Sequence, residues 1–541
     1  MTLCNASPLL QSFILSMNQF SGEFPQGFGN CSSLRRLCFN SNKLSGDLPD
    51  DLFMLSSLKQ LLVQDNIMIG SLNENIGNLS NLVQLDISFN GFSGTIPDVF
   101  GKLQRLRYLS FASNHFSGPL PRSLSSLSSI QFLSLNNNSL SGSIDLDFSS
   151  MVHLSVLDLG SNHFTGPIPD GISNCVGLKT LNLARNALDG EIPKSFKSLQ
   201  SLLHLTFSNN SISNLSSALG VLQQCKNLSS LILTMNFRGE AMPLDIVGGF
   251  TNLETLVIAN CGLSGLIPQW LRGCVKLRLV DLSWNHLEET IPHWLGDLND
   301  LFYLDLSNNS LVGEVPKSLT RLNCLVSCNT SLKQSTLPDF LFFVKRVAGA
   351  KSLQYNRLQS FPPSIDLSDN RLDGPIWQEF GDLKSLIVFD VSGNHLSGTI
   401  PRELSGMRSL EKLDLSHNNL KGSIPPSLAT LTFLSSFSVA YNNLYGIIPS
   451  GGQFSTFPSS SFEGNEALCG EQFSPCRDQQ APSLVLDGGE DDGGLHIYDM
   501  GPPFATGMLV GFLPTAIFYM YYFRPLVRLR RGGIHPVYPM V

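Results

Sequence analysis

Charge is scarce in this chain. Lysine, arginine, aspartate and glutamate make up only 14% of its 541 residues, the net charge is −8, and no long basic run occurs. Because nucleic-acid binding depends on clustered positive charge, we expect no nucleic-acid partner. The ten histidines are dispersed, and no cysteine pair is joined by a second pair or by histidines at zinc spacing. The sequence therefore predicts neither a metal site nor a cofactor.

The sequence also lacks the motifs of a protein kinase: the glycine-rich loop, the strand lysine, H-R-D and D-F-G. We therefore predict that the chain is not an enzyme. Residues 1–20 have neither a basic start nor a continuous apolar run, so they are not a signal peptide. Leu10, Phe13, Leu15 and Asn18 already follow the pattern described next. We expect upstream repeats, an N-terminal cap and a signal peptide to be missing.

The sequence does contain one motif that repeats about every 24 residues, and "LEKLDLSHNNLKGSIP" at 410–425 is its fullest copy. This motif matches the leucine-rich repeat consensus, L-x-x-L-x-L-x-x-N, so the predicted fold class is an α/β leucine-rich repeat solenoid. Its leucines point into the stack, the residues between them face a concave sheet, and the asparagine hydrogen-bonds backbone at the turn. Seventeen asparagines mark the copies: Asn18, Asn42, Asn66, Asn90, Asn114, Asn138, Asn162, Asn186, Asn210, Asn236, Asn260, Asn285, Asn309, Asn370, Asn394, Asn418 and Asn442.

Seven copies continue with G-x-I-P, as in Gly422 to Pro425. This element resembles the plant extracellular subclass of the repeat. The resemblance implies a second short strand in each copy and a twisted superhelix.

The C-terminal part reads as a cap followed by a membrane anchor. Cys469 and Cys476 lie just beyond the last repeat, where a disulfide-bonded cap closes many solenoids; two free thiols are the alternative. The uncharged run 504–523 would span about 30 Å as a helix, which is the hydrocarbon thickness of a bilayer. Four arginines follow it at once. We expect a single-pass plasma-membrane protein with its repeats outside the cell.

Nine N-x-S/T sequons are candidate glycosylation sites, although an Asn/Ser-rich repeat produces some by chance. They are Asn5, Asn30, Asn78, Asn137, Asn209, Asn214, Asn227, Asn308 and Asn329. The predicted organisation is repeats at 1–309, an island insertion at 310–363, repeats at 364–450, a C-terminal cap at 451–480, an acidic spacer at 481–503, the membrane helix at 504–523 and a cytoplasmic tail at 524–541.

The island insertion interrupts the 24-residue spacing of the repeats. Asn309 and Asn370 are 61 residues apart, 37 more than one repeat. Between Cys324 and Phe361 five basic residues face one aspartate, a balance of +4 that would attract an anionic ligand. Residues 340–345, "FLFFVK", form a strand-prone apolar run. A strand with a free edge could pair with an extended peptide; a tolerated insertion without function is the alternative.

Three stretches resemble the phytosulfokine receptors of plants: "LPDFLFFVKR…LQYNRLQSFPPSIDLSDN", the preceding "DLSWNHLEETIPHWLGDLNDLFYLDLSNNSLVGEVP" and the closing "FSVAYNNLYGIIPSGGQFSTFPSSSFEGNEALCGE". The resemblance covers residues 1 to about 476. It implies a receptor for a short secreted peptide with two sulfated tyrosines, which then recruits a co-receptor kinase with a short leucine-rich repeat ectodomain. The short tail instead resembles kinase-less receptor-like proteins.

The resemblance also implies site residues, transferred motif by motif. The concave contacts fall on Asn182, Thr206, Ser208, Thr234 and Asp281, and the island contacts on Phe343 and Lys345. Arg346, beside Lys345, and Asn136 are further candidates. Asn136 stands where the family is expected to carry an arginine, and losing a charged partner of a sulfate would cost about 1.5 to 3 kcal/mol.

The leading hypothesis is thus a membrane-anchored, kinase-less receptor or decoy that binds a tyrosine-sulfated peptide. Two alternatives stay open at this point. The chain could be a defence protein whose concave face binds a microbial protein, or the ectodomain of a serine/threonine receptor kinase truncated in the gene model.

Overall fold

A continuous parallel sheet lines the concave side of the solenoid. The computed structural model describes residues 9–244, 249–327 and 361–470, and the backbone of the short strands Phe342–Val344 and Leu353–Tyr355. All of these lie within one unit, Met1–Cys476. Each repeat contributes one strand, paired in register with the next. In chain order the concave strands β1 to β17 are Ser12–Ile14, Arg36–Cys38, Gln60–Leu62, Gln84–Asp86, Tyr108–Ser110, Phe132–Ser134, Val156–Asp158, Thr180–Asn182, His204–Thr206, Ser230–Ile232, Thr255–Val257, Leu279–Asp281, Tyr303–Asp305, Ser364–Asp366, Val388–Asp390, Lys412–Asp414 and Ser436–Ser438.

The alternation of leucine with polar residues has the predicted effect. In β16, Leu413 and the following Leu415 are fully buried in the core, while Lys412 and Asp414, which alternate with them, lie on the concave face. The core is therefore a single column of apolar side chains running through the described repeats. Each repeat buries its leucines only against its neighbours, so the length of the chain adds repeats rather than core thickness.

The predicted asparagine ladder ties successive repeats together. Asn418 is buried and donates through Nδ2 to the carbonyls of Val391, Leu415 and Ser416 at 3.0 to 3.2 Å. Its Oδ1 accepts from the N–H of Leu396 at 2.9 Å. These bonds satisfy backbone groups that leave the sheet at the turn, where no strand can pair them.

The ladder departs from the sequence prediction at two positions. In the eleventh repeat the ladder position is occupied by Cys261, not Asn260: Cys261 is buried and its N–H donates to Asn285 Oδ1 at 3.2 Å, whereas Asn260 is exposed. Cysteine fits because its small side chain can also turn towards backbone carbonyls, here that of Ala259. Asn465, which the 24-residue spacing did not predict, continues the ladder beyond Asn442. Its Oδ1 accepts from the N–H of Leu444 at 3.0 Å.

Second strands follow most turns, as the G-x-I-P element predicts. Gly422 in that element has φ of +89°, a conformation that side chains with a Cβ rarely adopt. These strands are Ser21–Glu23, Lys43–Ser45, Ile69–Ser71, Gly91–Thr95, His115–Gly118, Ser139–Gly142, His163–Pro167, Ala187–Gly190, Ser211–Ile212, Ser264–Gly265, His286–Leu287, Val312–Glu314, Arg371–Asp373, Ser397–Thr399, Asn419–Gly422, Asn443–Ile447 and Ala467–Cys469.

Short 3₁₀ helices return the chain to the sheet, and in most repeats the proline of the element precedes them. They are Asp50–Met54, Glu74–Asn78, Phe100–Lys102, Arg122–Ser126, Phe148–Ser150, Asp170–Asn174, Lys194–Ser198, Gln269–Gly273, His293–Asp297, Lys317–Arg321, Gln378–Asp382, Arg402–Gly406, Pro426–Thr430, Gly452–Thr456 and Ser459–Ser461. The α-helices Leu215–Leu222 and Asn323–Val326 were not predicted.

The solenoid closes at its C-terminal end over aromatic side chains. Phe437 of β17 packs against Phe454, Phe457 and Phe462, with ring centroids 4.8 to 5.8 Å apart. Cys469 is disulfide-bonded, and Cys476, its predicted partner, lies outside the described residues. Cys31 is also disulfide-bonded, which sequence reasoning did not anticipate.

The island insertion begins later than predicted. Residues 310–327 keep the repeat structure, since Val312–Glu314 pairs with Arg371–Asp373 and the helix Lys317–Arg321 follows. The first part of the predicted insertion is thus the ordinary second half of the repeat that starts at Asn309. We call residues 328–360 the island loop. Within the described residues no helix is long and apolar enough to cross a bilayer, and the predicted span at 504–523 lies outside them.

Candidate functional site

The five concave residues singled out from the sequence lie on, or two residues after, the strands β8, β9, β10 and β12. Asn182 ends β8 and Thr206, its register partner, ends β9. The same row continues through β10 and β11 to Asp281 at the end of β12. Ser208 and Thr234 follow β9 and β10 by two residues and so lie in the next row. From Asn182 to Asp281 the row crosses four strand spacings of about 4.8 Å, or about 19 Å in all.

These residues differ in how much of each side chain is accessible. Thr206 and Asp281 are only 3% exposed because the side chains of adjacent strands crowd them. Asn182, Ser208 and Thr234 are half-buried. The accessible polar groups among these residues are therefore those of Asn182 and Ser208, because the Thr234 hydroxyl oxygen is buried.

The hydroxyl groups of the row have few intramolecular partners. Thr206 Oγ1 lies 3.2 Å from Ser208 Oγ, and the Ser208 hydroxyl also lies 3.5 Å from the Ile232 carbonyl. Thr234 Oγ1 makes no hydrogen bond. Two neighbours on the same face, Thr180 and Ser230, likewise carry buried hydroxyls without a hydrogen bond. This part of the concave face therefore carries five hydroxyl side chains. Sequence reasoning singled out three of them, Thr206, Ser208 and Thr234, and missed Thr180 and Ser230.

Asn182 is held towards the preceding repeat. Its Oδ1 accepts from the N–H of Ala184 at 3.0 Å, and its amide donates to the carboxyl of Asp158, its register partner on β7. Burial raises the pKa of Asp158 to about 6, opposed by the hydrogen bonds from the Gly160 N–H and from Asn182. Sequence reasoning missed Asp158 and Gly160; the signal was the glycine after "VLDL" at a position where most repeats carry a side chain.

Asn136, two strands from Asn182, is half-buried and turned towards its own repeat. Its Oδ1 accepts from the Ser134 hydroxyl at 2.8 Å. Nearby, burial lowers the pKa of His204 on β9 to about 4. At neutral pH Asn136, Asn182 and His204 are therefore uncharged, and Asp158 between Asn136 and Asn182 carries the negative charge.

Towards the C-terminal repeats the face becomes acidic. The row that contains Asp281 continues through Asp305, Asp366, Asp390 and Asp414 on successive strands. Burial, and then the charges of Asp305 and Asp390, hold the pKa of Asp366 well above its usual range. Lys412 forms an ion pair with Asp390 at 2.6 Å. This row favours cationic over anionic groups.

The island loop follows the short helix Asn323–Val326 of the repeat that contains β13, and the described chain resumes at Phe361, before β14. The strand predicted within residues 340–345 is present at Phe342–Val344, and it pairs antiparallel with Leu353–Tyr355. Phe343 lies at the centre of that strand, opposite Gln354. Lys345 and Arg346 lie outside the described residues.

The sequons that the structure describes are accessible to different degrees. Asn30, Asn78, Asn137, Asn209, Asn214 and Asn227 are exposed, and Asn308 is half-buried. Asn5 and Asn329 lie outside the described residues. Glycosylation stays a prediction.

Comparison with known proteins gives the family. Two leucine-rich repeat family models match, one at residues 80–140, 251–311 and 363–420, the other at 9–31, 153–175 and 177–199. Phytosulfokine receptor 1 of Arabidopsis thaliana is 57% identical over 336 residues, covering 62% of this chain and 32% of the relative. Phytosulfokine receptor 2 of the same plant is 62% identical over 267 residues, 49% of this chain and 26% of the relative.

The chain is a leucine-rich repeat protein of the phytosulfokine-receptor type. Receptor-like protein 3 of Arabidopsis thaliana is also similar, at 50% identity over 334 residues, 60% of this chain and 43% of the relative. This phytosulfokine-receptor-type chain thus spans between about a quarter and under half of the curated relatives it matches.

Solved structures agree with this fold. The ectodomain of the Arabidopsis receptor kinase HAESA, solved with the peptide hormone IDA and the co-receptor SERK1, matches with a TM-score of 0.59 at 26% identity, covering 88% of this chain and 81% of that one. The ectodomain of the Arabidopsis receptor kinase GASSHO1/SCHENGEN3, solved with CASPARIAN STRIP INTEGRITY FACTOR 2, matches with a TM-score of 0.55 at 27% identity, covering 86% and 60%.

Proposed function

We propose that this protein is a cell-surface receptor that binds a tyrosine-sulfated peptide of the phytosulfokine type between the island loop and the concave face. The observation that carries the proposal is the row from Asn182 to Asp281, which ends one strand before the repeat from which the island loop departs. An extended pentapeptide is about 17 Å long, close to the length of this row. Relatives whose names include phytosulfokine receptor, at 57% and 62% identity, support the ligand class.

Recognition of sulfate requires donors rather than a base, because sulfate keeps its negative charge at any physiological pH. In this proposal Lys345 supplies a charge-assisted hydrogen bond and Asn182 a neutral amide donor. Phe343 offers a face for a tyrosine ring. Ser208 donates its hydroxyl, and Thr206, whose Oγ1 lies 3.2 Å from Ser208 Oγ, holds that hydroxyl in place. Thr234 contacts the peptide beside them. Asp281 accepts from backbone N–H groups of the peptide, at the end of the row nearest the island loop.

We further propose a location and a mode of signalling for the protein. We place the protein in the plasma membrane through residues 504–523, with glycosylated repeats outside the cell and a cap closed by Cys469 and Cys476. It signals through a co-receptor kinase or competes for ligand as a decoy. The HAESA complex, which contains both a peptide hormone and SERK1, supports this kind of partnership.

The test is calorimetric titration of the full chain, purified in detergent, with a sulfated pentapeptide. Lys345→Ala and Asn182→Ala should each weaken binding about 10- to 100-fold, since each removes a donor to a charged group. Lys102→Ala, an exposed lysine on the helix Phe100–Lys102 of the fourth repeat, far along the chain from the island loop, is the matched control and should bind normally. Unchanged binding in both site variants would exclude this site.

A further inference from the structure

The amide of Asn182 occupies a space that exists only because residue 160 is glycine. A Cβ on Gly160 would lie 2.8 Å from Asn182 Nδ2 and 2.9 Å from Oδ1, closer than side chains tolerate. The Gly160 N–H also donates to Asp158 Oδ1 at 3.0 Å. Gly160 therefore fixes both members of the Asp158–Asn182 pair.

This gap is particular to the seventh repeat. The equivalent position carries Asn136 in the sixth repeat, Ala184 in the eighth and Ser208 in the ninth. Gly160 has an ordinary φ, so no turn requires glycine here. The missing side chain is explained by the approach of Asn182.

We propose that Gly160 and Asp158 are specificity-determining residues that position the Asn182 amide, and that proton uptake by Asp158 strengthens the binding of an anionic peptide group at Asn182. The proposal rests on the proposed function, because it takes the sulfate of the peptide as that anionic group. An ionised Asp158 repels a sulfate bound one strand away and holds the amide of Asn182 on its own carboxylate. A protonated Asp158 removes the repulsion and becomes a donor itself.

The pKa of Asp158, raised to about 6 by burial, places this change between pH 5 and 7.5. On the neighbouring strands the groups that face Asp158 are uncharged: Ser134 and Asn136 on one side, and Asn182 on the other. Lys179 and Arg185 flank β8, and both are exposed. His204 on β9 stays neutral above about pH 4.

Two other titratable residues belong to the same repeat and need a control. His153 and His163 are exposed at either end of it. Farther along the same row, Asp86 lies three strands away. The experiment must therefore separate Asp158 from the histidines.

The experiment is titration of the full chain with sulfated and unsulfated pentapeptides at pH 5.0 and 7.5. Wild type should bind the sulfated peptide about 5- to 30-fold more tightly at pH 5.0, and the unsulfated peptide equally at both values. Asp158→Asn should bind the sulfated peptide at both values as tightly as wild type does at pH 5.0. His153→Gln should keep the wild-type pH dependence.

Gly160→Ala tests the positioning role. It should weaken sulfated-peptide binding about 10-fold at both pH values and leave unsulfated-peptide binding unchanged. Gly177→Ala is the control, because its Cβ would meet only carbonyl oxygens at 3.7 Å or more. Asp158→Asn conserves shape, so it remains informative if Gly160→Ala does not fold.

The outcomes separate the two proposals. Sulfate-selective binding with the same affinity at both pH values, or pH dependence that persists in Asp158→Asn, overturns this inference alone. No binding of either peptide to wild type at either pH overturns the proposed function, and this inference with it.

Discussion

Asp305 and Asp366 are register partners on adjacent strands, although the whole island loop lies between them in the chain. The N–H of Leu306 donates to the Asp366 carbonyl at 2.9 Å, and Asn370 donates to the Leu306 carbonyl at 3.0 Å. Both the sheet and the asparagine ladder thus cross the insertion without a break. The solenoid does not depend on the island loop for its continuity.

Replacing residues 328–360 with a short Gly-Ser linker should therefore leave the solenoid folded. We expect an unchanged far-UV circular dichroism spectrum and a similar thermal unfolding midpoint, because closing a loop costs little whatever its length. Peptide binding should be lost completely. A folded variant that still binds sulfated peptide would instead favour a ligand site on the concave face alone.

The acidic row should make stability depend on pH. The pKa of Asp366 is raised in the folded protein, so the native state binds more protons than the unfolded state above the usual value of 3.8. Stability from this group is therefore present at low pH and lost as pH rises towards the folded pKa. Asp366→Asn should raise the free energy of unfolding by about 1 to 3 kcal/mol at pH 7.5 and change little at pH 4.

The control for Asp366 is Asp373→Asn, an exposed carboxylate in the same repeat. It should leave the free energy of unfolding nearly unchanged at both pH values. Destabilisation by Asp366→Asn at pH 7.5 would mean that its carboxylate is stabilised in the native protein.

Neighbouring asparagines in one repeat should respond very differently to substitution. Asn418→Ala leaves the N–H of Leu396 and the carbonyl of Val391 without their partner. We expect a loss of about 1 to 3 kcal/mol in chemical denaturation. Asn419→Ala, one residue along and exposed, should cost less than about 0.5 kcal/mol. Equal losses would contradict the role of the ladder.

In the twelfth repeat a glutamate occupies the glycine position of the G-x-I-P element in a left-handed conformation. Glu289 has φ of +66°, and the equivalent residues Gly265 and Gly313 are glycines. Glu289→Gly should stabilise the protein by about 0.5 to 1 kcal/mol, since the left-handed conformation costs about 1 to 2 kcal/mol for a residue with a Cβ. Glu288→Gly, on the exposed neighbour, should destabilise it. Destabilisation by Glu289→Gly would show that the glutamate has a compensating contact.

The repeat made most of the fold predictable. Period and alternation identified the sheet, the buried leucines and the asparagine ladder, because each repeat restates the same local chemistry. The ladder position of Cys261 was missed because cysteine has no side-chain amide, and only the folded backbone shows that its thiol reaches the carbonyl of Ala259. Asn465 was missed because the cap shortens the spacing, and the helix Leu215–Leu222 because its short apolar run resembles the repeat around it.

The candidate site was less predictable. Alternation correctly placed Asn182 and Asp281 on the concave face, but it could not show that Asp281 is almost fully buried there. The space at Gly160 depends on the direction in which the Asn182 amide points, and the raised pKa of Asp366 depends on strands far apart in the chain. Such effects arise only when the repeats are stacked.

The central claim is that this surface recognises sulfate on a peptide. The most direct measurement is the ratio of dissociation constants for unsulfated and sulfated pentapeptide on the full wild-type chain at one pH. The account predicts a ratio of at least about 10, because one charge-assisted hydrogen bond is worth about 1.5 to 3 kcal/mol. A ratio near one, or no binding of the sulfated peptide, would contradict it.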